Sequence, residues 1–225
     1  EVADHSIALA LALCRQIIPI DQECKNLGWE IPNKNKIQRF SEMRFGVIGL
    51  GRIGTSVALK AKALGFGVHF YDPYLSNGVD KSLGISRIKS FDDFLAVTDV
   101  ISINCPLTEE THHMITNKEI DKMQKNAFII NTARGPIIKK KDLFAALKKH
   151  KIAGAALDVI EDEPLKTKAE AKTPNLIVTC HSGFYSLQAA WEMRHKAAAQ
   201  ARNMIEGGKI ENCVNCNNLP RNFVK

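Results

Sequence analysis

The stretch Phe45-Gly-Val-Ile-Gly-Leu-Gly-Arg-Ile-Gly54 constrains this chain more than any other. Phe45 to Ile48 is an apolar run of strand length that breaks into Gly49, Gly51 and Gly54 with G-x-G-x-x-G spacing. From Arg52 onward, Ile53, Val57, Ala61 and Leu64 recur at helical intervals, and Gly65 marks the helix end. Strand, glycine turn and helix in that order are the context in which this spacing holds a dinucleotide. Gly49 permits the tight turn, Gly51 lets a pyrophosphate approach the backbone, and Gly54 lets helix and strand pack closely. The unpaired N–H groups of the first helical turn then face the anion. Gly67 to Tyr71 reads as the next strand and delivers Asp72, 18 residues after Gly54. A carboxylate there accepts hydrogen bonds from the adenosine ribose hydroxyls. It also repels a 2′-phosphate, so the expected cofactor is NAD rather than NADP.

The alternation continues downstream. Residues 4–18 read as an apolar helix ending near Pro19, and 19–44 as a long connection with Trp29 as its expected anchor. Asp72 to Gly78 is turn-rich, and Phe91 to Ala96 is a short helix with Ser90 as a candidate N-cap. Strands are expected at 100–104, 127–132, 153–158 and 176–179, and helices at 117–123, 142–149 and 186–206, the last stopping at Gly207-Gly208. This spacing predicts an α/β fold, a doubly wound parallel sheet of the Rossmann type, with a C-terminal return helix. Residues 1–183 read as the nucleotide-binding domain and 184–225 as a helix and tail belonging to a second domain. Ligands of such sheets lie at the carboxyl ends of the strands. Asp72, Asn104, Thr132, Arg134, Asp158 and His181 all fall there.

Composition excludes other classes. A chain of 225 residues that is 45% hydrophobic can build a core, and no apolar run approaches a membrane span. Ile7 to Leu13 resembles a signal-peptide core, but Glu1, Asp4 and His5 precede it instead of a basic region, so a buried helix is expected. The net charge of +7 clusters in Lys139–Lys141 and Lys148–Lys151 with no interleaved aromatics. That pattern favours a solvated helix face over a nucleic-acid patch. The six cysteines form no framework: Cys14 and Cys105 sit in apolar segments, and Cys213-Val-Asn-Cys216 lacks a second pair. No metal site is expected, and the compartment reads as reducing and cytoplasmic.

Three ionisable residues suit a carbonyl reduction. An arginine binds a substrate carboxylate bidentately and polarises the adjacent carbonyl. A histidine, which ordinarily titrates near neutrality, donates the proton that accompanies hydride transfer. A glutamate on the other ring nitrogen fixes its tautomer. Arg134, His181 and Glu163 are the candidates. Taken singly, Arg134 reads equally as a surface salt-bridge residue, His181 as a core histidine and Glu163 as one member of an acidic loop.

Gly49–Gly54, Tyr71-Asp-Pro-Tyr74, Asn131-Thr-Ala-Arg-Gly135, Gly154-Ala-Ala-Leu-Asp-Val159, Glu163-Pro164 and His181, in this order, resemble the D-isomer-specific 2-hydroxyacid dehydrogenases. Asp72-Pro-Tyr-Leu-Ser-Asn-Gly78 and Phe184-Tyr-Ser186 resemble most the branch containing C-terminal-binding proteins, which includes bacterial enzymes and animal corepressors. The resemblance implies that Arg134 binds substrate, His181 is the acid–base and Glu163 its partner. It implies cofactor contacts at Gly49, Gly51, Arg52, Ile53, Gly54, Asp72, Cys105, Pro106, Thr111, Thr132, Ala133, Asp158 and His181, with Asp158 facing the nicotinamide carboxamide. It also implies a small 2-oxoacid or 2-hydroxyacid substrate, and a homodimer with helix 4–18 at the subunit interface.

The chain differs from the family pattern in places. Cys180 stands before the histidine where proline is common, Pro136 and Lys139 replace small and acidic residues, and Phe184 stands where animal corepressors carry tryptophan. Family members carry an N-terminal segment ahead of the helix that opens this chain, and it supplies most of the substrate domain. A fragment or truncated product is therefore expected. Two functions follow from the resemblance: an NAD-dependent D-2-hydroxyacid dehydrogenase, or an NAD(H)-sensing corepressor-like scaffold with little turnover. A bare NAD-binding module is a third reading. The retained Arg, Glu and His favour the first.

Overall fold

In the computed structural model of the chain, residues 1–31 and 37–207 are described. Cys213, Cys216 and Gly208 lie outside the described residues. The chain divides into two compact units, Val2–Gly183, and Glu1 with the residues from Phe184 on.

The first unit is built on seven parallel strands: β1 (Arg44–Ile48), β2 (Gly67–Tyr71), β3 (Ser86–Arg87), β4 (Val100–Ile103), β5 (Phe128–Asn131), β6 (Gly154–Leu157) and β7 (Leu176–Val178). They pair in the order β3-β2-β1-β4-β5-β6-β7. Strands covered on both faces read as near-continuous apolar runs, and every residue of β4, β5 and β6 is buried, Ser102 and Asn131 included. One face carries α1 (Val2–Cys14) and α3 (Arg52–Ala63), whose Leu9, Leu13, Val57 and Ala61 pack with Phe45, Val47 and Phe70. The other carries α5 (Phe91–Val97), α6 (Asn117–Ile120) and α7 (Lys140–Lys148), which bring Phe94, Ile120 and Leu143 against Ile101, Ile103 and Ile129. Helices on both faces of a parallel sheet make the doubly wound fold that the alternation predicts.

The helix expected over 4–18 does not end at Pro19. It breaks at Gln16, which takes φ 55, and α2 (Ile17–Lys25) runs through Pro19. Proline fits there because the first helical turn has no intrahelical partner for its missing N–H. The connection expected from residue 19 therefore begins as helix. Trp29 is no anchor: it is 90% exposed, two residues after Leu27, which takes φ 65. Residues 79–83 and 168–171, given no helix from sequence, form α4 (Val79–Leu83) and α8 (Lys168–Ala171). Lys140 and Lys151 of the basic run pair with Glu170 and Asp121, while Lys141, Lys148 and Lys149 are exposed. No single helix among the described residues is long and apolar enough to cross a membrane; α1 and α2 together reach that length but are bent by 58°.

In the second unit, α9 (Leu187–Ile205) starts at Ser186, whose hydroxyl accepts from the Ala189 amide at 2.9 Å. None of its residues is buried, and the rings of Trp191 and His195 stack at 3.8 Å.

Inside the sheet, burial pushes the His69 imidazole down to about 4. Thr98 donates its hydroxyl to the Phe94 carbonyl, so it accepts from His69 Nε2–H at 2.7 Å, which fixes that tautomer. The unfolded chain binds a proton near pH 6.5, whereas the folded chain does so only near 4. Below the first value the unfolded state binds more protons, so stability falls as pH drops across that window. Urea unfolding between pH 7 and 4.5 is expected to show the decline, and His69→Gln, which retains a donor for Thr98, to flatten it.

Candidate active site

The site begins at the carboxyl end of β1. Gly49 takes φ +82, and a Cβ there would lie 2.8 Å from the Cys105 backbone. A Cβ on Gly54 would lie 2.0 Å from the Gly49 carbonyl oxygen, whereas one on Gly51 would meet nothing within 4 Å. The three glycines thus serve turn, open approach and helix contact in turn. Arg52 and Ile53 occupy the exposed first turn of α3. Asp72 follows β2, and its two oxygens accept from the Leu50 amide at 2.9 Å and the Tyr74 amide at 3.0 Å. Arg87 holds the same segment from behind, donating to the Asp72 and Leu75 carbonyls at 2.6 and 2.9 Å.

Between this segment and the loop after β4 lies a cleft of about 410 Å³, lined by Gly49, Gly51, Asp72, Cys105, Pro106 and Thr111 among others. The loop is braced from within, as Thr111 donates its hydroxyl to the Pro106 carbonyl at 2.6 Å. Burial pushes the Cys105 thiol up to about 11, so it stays neutral. Asn104 donates its amide to the Ser102 carbonyl and hydroxyl, both at 3.0 Å. The side-chain oxygen of Asn104 is buried in the cleft wall without a hydrogen-bond partner among the described residues. A buried acceptor left unpaired is costly, and a ligand with hydroxyl or amine donors relieves it. The open glycine turn, the Asp72 carboxylate and this acceptor all fit a dinucleotide.

A second cleft of about 560 Å³ is lined by Asp158, Glu163, Pro164, Cys180 and His181. Asp158 is buried after β6. It accepts from the Thr179 hydroxyl at 2.6 Å and from the Ser182 and Gly183 amides, both at 2.9 Å. Burial works against charge on Asp158, but these donors outweigh it and hold the carboxyl below its usual range. Thr179 also meets His5 Nε2 at 3.0 Å. Asp158, expected to face the carboxamide, is thus engaged by donors of its own chain and clamps the turn that carries His181.

That clamp matters because His181 takes φ 55, a conformation the backbone must be held in. Its amide donates to the Asp158 carbonyl at 2.9 Å, and its Nδ1 meets Glu163 Oε2 at 3.0 Å. Glu163 is fixed in turn by the Ile160 amide at 3.2 Å. The structure therefore joins two of the three predicted catalytic residues. Arg134, at the end of the neighbouring β5, is exposed and donates to the Ala133 carbonyl at 2.6 Å. No hydrogen bond among the described residues links it to Glu163 or His181. Ala133 donates its amide to Asn131 Oδ1 at 3.0 Å, which shapes the turn before Arg134. Thr132 is buried, with its hydroxyl 2.6 Å from that of Ser6.

Sequence reasoning missed His5 and Ser6, which α1 brings to Thr179 and Thr132. Their only signal is two polar residues at the start of an apolar helix. Arg87 was missed too, since a lone arginine in a short edge strand carries no pattern. No group of three or more His, Cys, Asp or Glu residues suited to a metal occurs among the described residues.

Comparison with known proteins agrees with this geometry. The family "D-isomer specific 2-hydroxyacid dehydrogenase, NAD binding domain" matches residues 7–183. D-3-phosphoglycerate dehydrogenase of Methanocaldococcus jannaschii is 37% identical, the match covering 98% of this chain and 42% of that protein. C-terminal-binding protein 1 of Caenorhabditis elegans is 32% identical, over 99% of this chain and 32% of that protein. The crystal structure of D-lactate dehydrogenase from Aquifex aeolicus, complexed with NAD and lactic acid, superposes with a TM-score of 0.83 at 31% identity, covering 92% of this chain and 66% of that one. The chain thus spans less than half the length of these two curated relatives. Matched across its whole sheet, the chain belongs to the D-isomer-specific 2-hydroxyacid dehydrogenases, of which it carries the NAD-binding domain.

Proposed function

We propose that the chain supplies the cofactor-binding and acid–base part of an NAD-dependent dehydrogenase acting on a D-2-hydroxyacid/2-oxoacid pair. The observation that carries this reading is the His181–Glu163 contact of 3.0 Å at the carboxyl end of the sheet whose glycine turn receives the nucleotide. In the reducing direction Arg134 leaves the Ala133 carbonyl, binds the substrate carboxylate and polarises the neighbouring carbonyl. Glu163 takes the Nδ1–H of His181, so the proton delivered to the carbonyl oxygen sits on Nε2. The same carboxylate stabilises the imidazolium in the oxidising direction. Bound NADH supplies the hydride.

The test is loss of NADH absorbance with glyoxylate, pyruvate, hydroxypyruvate and 4-methylthio-2-oxobutyrate. Arg134→Ala is expected to lower kcat/KM by about 10²–10³-fold, the scale of losing one charge-assisted contact to the developing transition state. Equal turnover in the variant removes Arg134 from the mechanism.

The match to a C-terminal-binding protein over 99% of the chain favours a second reading. In it the same nucleotide site governs association of a homodimeric, corepressor-like scaffold. Sedimentation with and without NADH separates the two: NADH-linked association with negligible turnover supports the scaffold, and turnover supports the enzyme.

A further inference from the structure

The cleft beside the glycine turn has two walls, the Asp72–Tyr74 segment after β2 and the Cys105–Thr111 loop after β4. Tyr74 and Glu110 connect them, the tyrosine hydroxyl donating to the Glu110 carboxylate. Glu110 is an exposed residue, and this bond keeps it at the rim instead of free in solvent. Its neighbour Thr111 is braced as well, accepting from the Thr108 amide at 2.8 Å. Accepting from Tyr74, the Glu110 carboxylate raises the phenol above its ordinary range, so the hydroxyl remains a donor at neutral pH. The described residues lining the cleft include two carboxylates, Asp72 and Glu110, and no lysine, arginine or histidine. Arg87 is behind the Asp72 wall, its guanidinium committed to the Asp72, Leu75 and Ser76 carbonyls.

We propose that Glu110, held in place by Tyr74, is a second specificity-determining residue that rejects NADP(H), so that Asp72 does not make the choice alone. The inference rests on the NAD reading of this cleft. A 2′-phosphate brings close to two negative charges. Positioned by Asp72, it meets a carboxylate on each wall, with no cation among the described residues that line the cleft to offset them. The two carboxylates are not equivalent. Both oxygens of Asp72 already accept backbone amides, which disperse its charge, whereas Glu110 is bound by a single neutral hydroxyl. Removing Asp72 therefore leaves a carboxylate across the cleft.

The test is titration of the full chain with NADH and, separately, NADPH, followed by nucleotide fluorescence. It compares the wild type with Asp72→Ser, Glu110→Gln, the double variant and Tyr74→Phe. Each single charge removal is expected to shift the NADPH/NADH affinity ratio toward NADPH by about tenfold, and the double variant by about 100-fold. Tyr74→Phe, which changes no charge, is expected to relax the ratio part of the way, because Glu110 then leaves the rim. Added salt is expected to raise the wild-type ratio and to affect the double variant less. The proposal is overturned if Asp72→Ser alone gives the full change and Glu110→Gln adds nothing. It is also overturned if Glu110→Gln weakens NADH and NADPH equally. Failure of the wild type to bind NADH would sink the cofactor reading itself, a distinct result.

Discussion

Turnover of a 2-oxoacid by His181→Gln is expected to fall by about 10²–10⁴-fold, the contribution of a positioned general acid. NADH affinity is expected to change far less, because His181 lines the cleft with Glu163 and not the one beside the glycine turn. Glu163→Gln is the more informative partner. Glu163 accepts from the Ile160 amide with one oxygen and from His181 Nδ1 with the other. A glutamine can keep the first bond only by turning its NH2 toward Nδ1. That forces the ring into the tautomer with the proton on Nε2 and an acceptor at Nδ1, and leaves no carboxylate to stabilise the imidazolium. The variant is expected to lose about 10²–10³-fold in kcat. Because the two residues act as one unit, the double variant is expected to be no slower than His181→Gln alone. Additive losses would show that Glu163 acts elsewhere, and a His181→Gln variant with undiminished kcat would end the acid–base assignment.

What was legible in the sequence is what local pattern encodes. The run Phe45–Ile48 could be read as a strand because β1, inside the sheet and covered on both faces, buries every residue after Arg44. The glycine spacing fixed the turn because each position meets a separate steric demand. Asp72, Asn104, Thr132, Asp158 and His181 could be gathered at one edge because parallel strands place all their carboxyl ends together. Pairing across the sequence was not legible. His181 and Glu163 are 18 residues apart, and their contact depends on a left-handed turn that Asp158 clamps from below. Nothing local announces a carboxylate whose task is to hold two amides. Nor does α1 announce that His5 and Ser6 reach Thr179 and Thr132, since that depends on where the helix docks. Short elements failed for another reason. The Thr167–Glu170 capping box of α8 was present, but no apolar run follows it, and α4 is five residues between left-handed Gly78 and Gly84 in what reads as a turn. Trp29 shows the opposite error, a large apolar residue taken as buried on its type alone.

Two alanine substitutions three residues apart are expected to differ in stability, and the contrast tests the nucleotide site without any substrate. A Cβ on Gly51 meets nothing within 4 Å, and its φ of −74 is open to any residue. Gly51→Ala should therefore leave stability within about 0.5 kcal/mol of wild type. The added methyl nonetheless occupies the space through which a pyrophosphate approaches the backbone, so NADH affinity is expected to drop about 100-fold, or roughly 2.7 kcal/mol. A Cβ on Gly54 lies 2.0 Å from the Gly49 carbonyl oxygen and 3.2 Å from Val47 Cγ1. The nearer neighbour is backbone, so relief requires α3 to move off β1. Overpacking of that kind costs about 2–3 kcal/mol, a fall in Tm of roughly 5–10 °C for a domain of this size. Moving α3 also withdraws the N–H groups that face the anion, so Gly54→Ala is expected to lose affinity together with stability. Calorimetry with and without NADH reads both quantities. If Gly51→Ala bound NADH as the wild type does, the pyrophosphate would not pass over this turn, and the dinucleotide would have to enter the site by another face.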